Sequence, residues 1–135
     1  MAKVLFVCFG NVGRSQMAEA FYNFYTRSKD GYSAGVNPET PIKYSKLPDE
    51  ICQIMLEEDI DIRHQAVKTI DKKFVADATK IFIMCKREQC PDFLVNSGKA
   101  EYWEIENSHY LDIENMRRIR NQIKARVLSI VPNNK

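Results

Sequence analysis

Cys8 and Arg14 enclose five residues, two of them glycine, in the run Cys8-Phe9-Gly10-Asn11-Val12-Gly13-Arg14, and Ser15 follows at once. A thiol and a guanidinium at this spacing suit covalent chemistry on a tetrahedral oxyanion. Successive backbone N–H groups in a short loop can converge on its centre, and a helix starting there adds positive potential. A thiol beside such a cradle is stabilised as thiolate, the nucleophilic form. Arg14 contributes a planar fork that holds two oxygens at once. Gly10 and Gly13 are expected to supply the positive φ and close backbone approach of a tight loop.

The chemistry requires a strand before the loop and a helix after it. Val4 to Val7 is a continuous apolar run and reads as a buried strand with Cys8 at its mouth. Met17, Phe21, Phe24 and Tyr25 recur at helical spacing after the loop. A short strand follows at Tyr32 to Ala34, ended by Gly35, and the prolines of Asn37-Pro38-Glu39-Thr40-Pro41 mark a loop. Leu47, Ile51, Ile54 and Met55 predict a second helix from about Ser45 to Glu58. Ile81 to Met84 reads as a strand buried on both faces, and Ala100 to Glu104 as a weaker fourth strand. Ile113, Met116, Ile119, Ile123 and Val127 define a terminal helix with Asp112 as N-cap. Strands alternating with helices predict a single α/β domain over residues 1–135, with a parallel sheet and right-handed crossovers. Ligands of such sheets bind beyond the carboxyl ends of the strands. Those ends carry Cys8, Gly35, Cys85 and the segment Trp103 to Asn107, so Cys85 shares a rim with Cys8.

Bulk properties narrow the classes. The chain has 135 residues, 44% hydrophobic and 28% charged, the proportions of an ordinary soluble domain. Its 20 basic and 18 acidic residues give a net charge of +2 without a basic block, which argues against nucleic acid as partner. No apolar stretch approaches the ~20 residues needed to span a bilayer, and the N-terminus carries no leader pattern. A cytoplasmic monomer that does not bind membranes is expected. Its four cysteines are then reduced thiols rather than a disulfide framework. No pair of them has the short spacing of zinc ligands, so no metal or cofactor is called for.

The segment Cys8 to Ala20, CFGNVGRSQMAEA, resembles the phosphate-binding loop of low-molecular-weight protein tyrosine phosphatases and of the related thioredoxin-coupled arsenate reductases. Weaker likenesses run along the chain at Ser33-Ala34-Gly35, Asp59-Ile60-Asp61-Ile62, the strand before Cys85 and the Trp103 segment. The resemblance implies four strands in a flavodoxin-like order, Cys8 as nucleophile, and Phe9 to Ser15 as the phosphate-binding loop. It implies that Asn11 bonds across the loop and that Ser15 donates to the Cys8 thiolate, although Ser15 also reads as a plain helix N-cap. Many relatives carry a second loop cysteine where this chain has Gly13.

The same resemblance locates a general acid as Asp-Pro after the fourth strand, where this chain has Asn107 and Ser108. An amide cannot donate a proton as a carboxylic acid does, which leaves Glu106, His109 and Asp112 as substitutes. Cys85 and Cys90, the latter followed by Pro91, match the outline of the reductases' redox pair. In that reading Cys85 attacks a Cys8 adduct and Cys90 resolves the disulfide by exchange. Cys52 and His64 read as packing and surface residues. Three functions follow. A phosphatase acting on a phosphorylated protein or small phosphomonoester comes first, because it needs the loop alone. An arsenate reductase working with thioredoxin is the second. The third is a phosphate-binding protein without catalysis.

Overall fold

The structure, a computed structural model, describes residues 3–107 and 112–132. Four parallel strands form one sheet in the order β2-β1-β3-β4, made of β1 (Val4–Cys8), β2 (Gly31–Gly35), β3 (Lys80–Ile83) and β4 (Ala100–Tyr102). All five residues of β1 are buried, because it lies between two neighbours with helices on both faces. Its side chains alternate between two layers. Val4, Phe6 and Cys8 face α1 (Arg14–Thr26), α3 (Asp49–Leu56) and α6 (Ile113–Ile130). Leu5 and Val7 join Ala34, Ile81 and Ile83 on the other face, covered by α4 (Lys72–Asp77) and α5 (Asp92–Val95). The flavodoxin-like α/β sheet expected from the sequence is therefore present.

Several elements differ from the sequence reading, each for a local reason. The helix expected from Ser45 starts at Asp49, because Pro48 biases Leu47 away from helical geometry. Part of the expected proline loop closes into a helical turn, α2 (Thr40–Lys43), with Pro41 near its start where a missing N–H costs nothing. Helices α4 and α5 are six and four residues long, too short to show a period of 3.6. β4 stops at Tyr102, two residues before the expected end. Phe24, counted on the apolar face of α1, is 47% exposed near the helix C-terminus.

Two features of the fold shape the rim. Trp103 stacks on Phe82 at 4.4 Å between ring centroids, and its backbone N–H donates to the Ile83 carbonyl at 2.8 Å. That contact turns the chain after β4 back over the end of β3. At the end of β2, Gly35 sits directly beneath the Cys8 loop. A Cβ at Gly35 would lie 2.8 Å from the Gly10 carbonyl carbon and 2.9 Å from both Asn11 N and the Phe9 oxygen, all of them backbone atoms. Gly35→Ala is expected to displace the loop, lowering stability by about 1–3 kcal/mol and weakening phosphate binding. Thermal melts with and without phosphate measure both effects.

Candidate active site

The loop between β1 and α1 is shaped by Asn11. Its φ of 59° is left-handed, a conformation that asparagine tolerates better than most residues. Gly10 and Gly13 were expected to carry the positive φ, yet among the described glycines only Gly98 has one, far from the loop. Asn11 takes the bend instead because its side chain is fully engaged. Its Nδ2 donates to Ser15 Oγ at 2.7 Å, and its Oδ1 accepts from Gln16 Nε2 and from the Lys68 backbone N–H, each at 2.8 Å. Gly13 is the N-cap of α1 and makes no side-chain bond. Ser15 is therefore not the cap; it lies in the first turn, fully buried.

Cys8 Sγ is 2.9 Å from Ser15 Oγ and accepts the Asn11 backbone N–H at 3.2 Å. The sulfur is thus held at the first turn of a 13-residue helix, where negative charge is favoured. Arg14 is buried to 7% exposure. One of its terminal nitrogens donates to the Ile105 carbonyl at 2.9 Å and to the Met84 carbonyl. Those carbonyls follow β4 and β3, so the rim of the sheet fixes the guanidinium. The rest of the fork stays available for oxygens in a cavity of about 830 Å³ lined by Phe9, Arg14, Cys85, Tyr102, Glu104 and Asn107, among others.

Cys85 follows Met84, whose N–H pairs with the Val7 carbonyl at 2.7 Å. It therefore lies one residue past the level of Cys8 and points into the opposite layer. There its sulfur lies 3.7 Å from Cys90 Sγ. Cys90 closes a turn at Arg87–Gln89, half-buried, with its thiol donating to the Lys86 carbonyl at 3.4 Å. Burial pushes the Cys85 thiol well above the usual cysteine range; Cys90 and Cys8 push it further and Arg14 opposes them. Burial raises Cys90 as well. The two thiols form a contact pair beside the cavity, and Cys85 lies within electrostatic reach of Cys8 and Arg14.

The acid candidates fare differently. Asn107 lines the main cavity and also a smaller one of about 290 Å³ on the far side of Phe9, with Lys43 and Tyr44. Glu106 is exposed, lines the main cavity and is bonded to Arg118 at 2.9 Å. The Asp112 carboxylate caps α6, accepting the Asn115 N–H at 2.8 Å. Ser108 and His109 lie outside the described residues. Cys52, on the buried face of α3, packs in the core, and His64 is exposed. Sequence reasoning missed Gln16 and Gln65, whose side chains bond to each other at 2.6 Å behind Asn11. Gln16 could have been noticed as a polar residue beside the buried face of α1; Gln65 carries no local signal.

The family model for low molecular weight phosphotyrosine protein phosphatases matches residues 3–133. The chain belongs to this family. Among curated relatives of this phosphatase-family protein, an arsenate reductase of Staphylococcus epidermidis is 32% identical over 127 residues, spanning 92% of this chain and 91% of its own. An arsenate reductase of Staphylococcus xylosus is 27% identical over 134 residues and 92% of each chain. The solved structure of an arsenate reductase in the phosphate-binding state has a TM-score of 0.81 at 30% identity, over 96% of both chains. A low molecular weight protein tyrosine phosphatase from T. tengcongensis also reaches 0.81, at 21% identity, over 96% of this chain and 97% of its own, a likeness of fold.

Arg14→Lys keeps the charge but loses the fork and its anchorage to Ile105. Phosphate affinity and turnover should both fall, turnover by ~10²–10³ as for removal of one oxyanion donor. Near-normal turnover in that variant would mean that the loop does not grip oxyanions through Arg14.

Proposed function

We propose that this protein is an arsenate reductase that uses Cys8, Cys85 and Cys90 in sequence. The observation carrying this reading is the 3.7 Å contact between Cys85 and Cys90 beside the cavity that Arg14 lines. The sequence alone favoured phosphomonoester hydrolysis. The thiol contact and the amide at Asn107 reverse that order. Arsenate can lose one of its own protonated oxygens, so it has less need of an acid for an organic leaving group. The curated relatives, themselves arsenate reductases, support the same choice.

The Cys8 thiolate attacks arsenic in arsenate, held by Arg14 and the amides of Phe9 to Ser15, and one oxygen leaves as water. The Cys85 thiolate then attacks Cys8 Sγ. The sulfur–arsenic bond breaks, its electron pair stays on arsenic, and arsenite leaves as a Cys8–Cys85 disulfide forms. The Cys90 thiolate attacks Cys85, freeing Cys8 and leaving a Cys85–Cys90 disulfide. A dithiol protein of the thioredoxin class restores both thiols. In the resting geometry Cys85 faces Cys90, so the second step requires the segment after β3 to turn its sulfur across the rim.

Phosphomonoester hydrolysis through a phosphocysteine is the second reading, favoured because the oxyanion loop is complete without any movement of sulfur. One preparation assayed for both reactions separates them. For the reductase, Cys85→Ser and Cys90→Ser each abolish thioredoxin-dependent arsenite formation, while aryl phosphate hydrolysis stays within about twofold. Two variants that leave arsenite formation intact would sink the relay. The raised Cys85 thiol also sets a pH dependence. A raised pKa leaves little thiolate at neutral pH, so a step limited by Cys85 accelerates about tenfold per pH unit between about pH 6 and 8. Aryl phosphate hydrolysis, which does not use Cys85, should not follow that slope. Asn107→Asp should restore a leaving-group acid and raise hydrolysis of alkyl phosphates by up to ~10²–10⁴.

A further inference from the structure

Three carboxamides stand in line behind the nucleophile, and backbone groups fix the sense of each. The Lys68 N–H can only donate, so the Asn11 atom 2.8 Å from it is Oδ1 and Nδ2 faces Ser15. The Ala66 carbonyl can only accept, so the Gln16 atom 2.7 Å from it is Nε2, and the second proton of that amide goes to Asn11 Oδ1. Gln65 Nε2 lies 3.3 Å from the Gln16 main-chain oxygen and 2.6 Å from Gln16 Oε1, which fixes the third amide. Donation therefore runs in one direction, from Gln65 to Gln16 to Asn11 to Ser15. The Ser15 oxygen already accepts from Asn11, and with Cys8 as thiolate, which can only accept, its single proton goes to Cys8 Sγ 2.9 Å away.

We propose that Gln16 and Gln65 are positioning residues that, through Asn11, aim the Ser15 hydroxyl at Cys8 and hold its thiolate at lower pH. The inference rests on Cys8 being the nucleophile. Aligned donors polarise one another, and a donor to the charged form of a thiol favours that form. Asn11, Ser15 and Gln16 have no exposed surface, so water does not compete along the chain. Gln65 is half-buried and forms its outer end. Arg14 on α1 and Cys85 after β3 lie within electrostatic reach of the site, and substitutions at either glutamine leave both in place. A purely structural role, in which Gln16 only ties residues 65–68 to α1, makes a different forecast for the coupling to Ser15.

The test is the pH profile of Cys8 alkylation in the reduced full-length chain, followed by mass of the Cys8 peptide. In Gln16→Met the Cys8 thiolate fraction on the rising limb should fall roughly three- to tenfold. Gln65→Met should shift it the same way by less. In a Ser15→Ala background, Gln16→Met should add nothing, since the hydroxyl that carries the effect is gone. An unshifted profile in folded Gln16→Met, or an equal shift with and without Ser15, would overturn the proposal. Should Gln16→Met fail to fold, Gln65→Met and its double variant with Ser15→Ala decide on the same two criteria. A Cys8 in the unaltered chain that titrates like a free cysteine, near ~8.5, would instead remove the nucleophile reading beneath it.

Discussion

The parallel pairing of β1 with β2 and β3 is the constraint on which the site depends. Because Cys8 pairs with Gly35 and Val7 with Ile83, the ends of three adjacent strands arrive together on one rim. The Cys8 loop can curl there only over a residue without a side chain, which Gly35 provides. The same register brings the Met84 carbonyl beside the loop to hold Arg14, and leaves Cys85 one residue further on. Residues about 75 positions apart in sequence thus share one edge of the sheet by backbone geometry alone.

Burial supplies the second ingredient. A polar group removed from water is costly unless it is bonded, and among the described residues no buried side-chain nitrogen or oxygen lacks a partner. Around Cys8 this satisfaction is directional. Asn11 accepts the left-handed backbone conformation in return for three side-chain bonds, which tie the loop to α1 and to Lys68. On the Cys85 side burial acts in the opposite sense, disfavouring the thiolate. In the proposed relay these opposite environments suit the two cysteines on one rim to different tasks, Cys8 to first attack and Cys85 to attack on a sulfur adduct.

Much of this was legible in the residues. Val4 to Val7, Ile81 to Met84 and the period of Ile113 to Val127 identify strands and a helix because each is long and apolar enough to show its repeat. The Cys8-to-Ser15 spacing identifies the loop because few arrangements place a thiol, glycines and an arginine between a strand and a helix. The left-handed position was misassigned to glycine, since local sequence does not show that Asn11 meets Lys68 and Gln16 in space. Gln65, Ala66 and the carbonyls of Met84 and Ile105 act through contacts of high sequence separation, to which no local pattern corresponds. The short helices α4 and α5 escaped for want of length. The orientation of Cys85 toward Cys90 depends on a turn at Arg87–Gln89 that a five-residue interval does not specify.

The most direct measurement on the proposed relay is a trap. Cys90→Ser removes the thiol that resolves the first disulfide, so a single exposure to arsenate should stop the enzyme after one turn. Peptide mapping without reductant should then recover Cys8 joined to Cys85, with about one arsenite released per chain. Free Cys8 and Cys85 thiols after that exposure, or arsenite release without the Cys8–Cys85 bridge, would contradict the relay and return this member of the family to phosphoester chemistry.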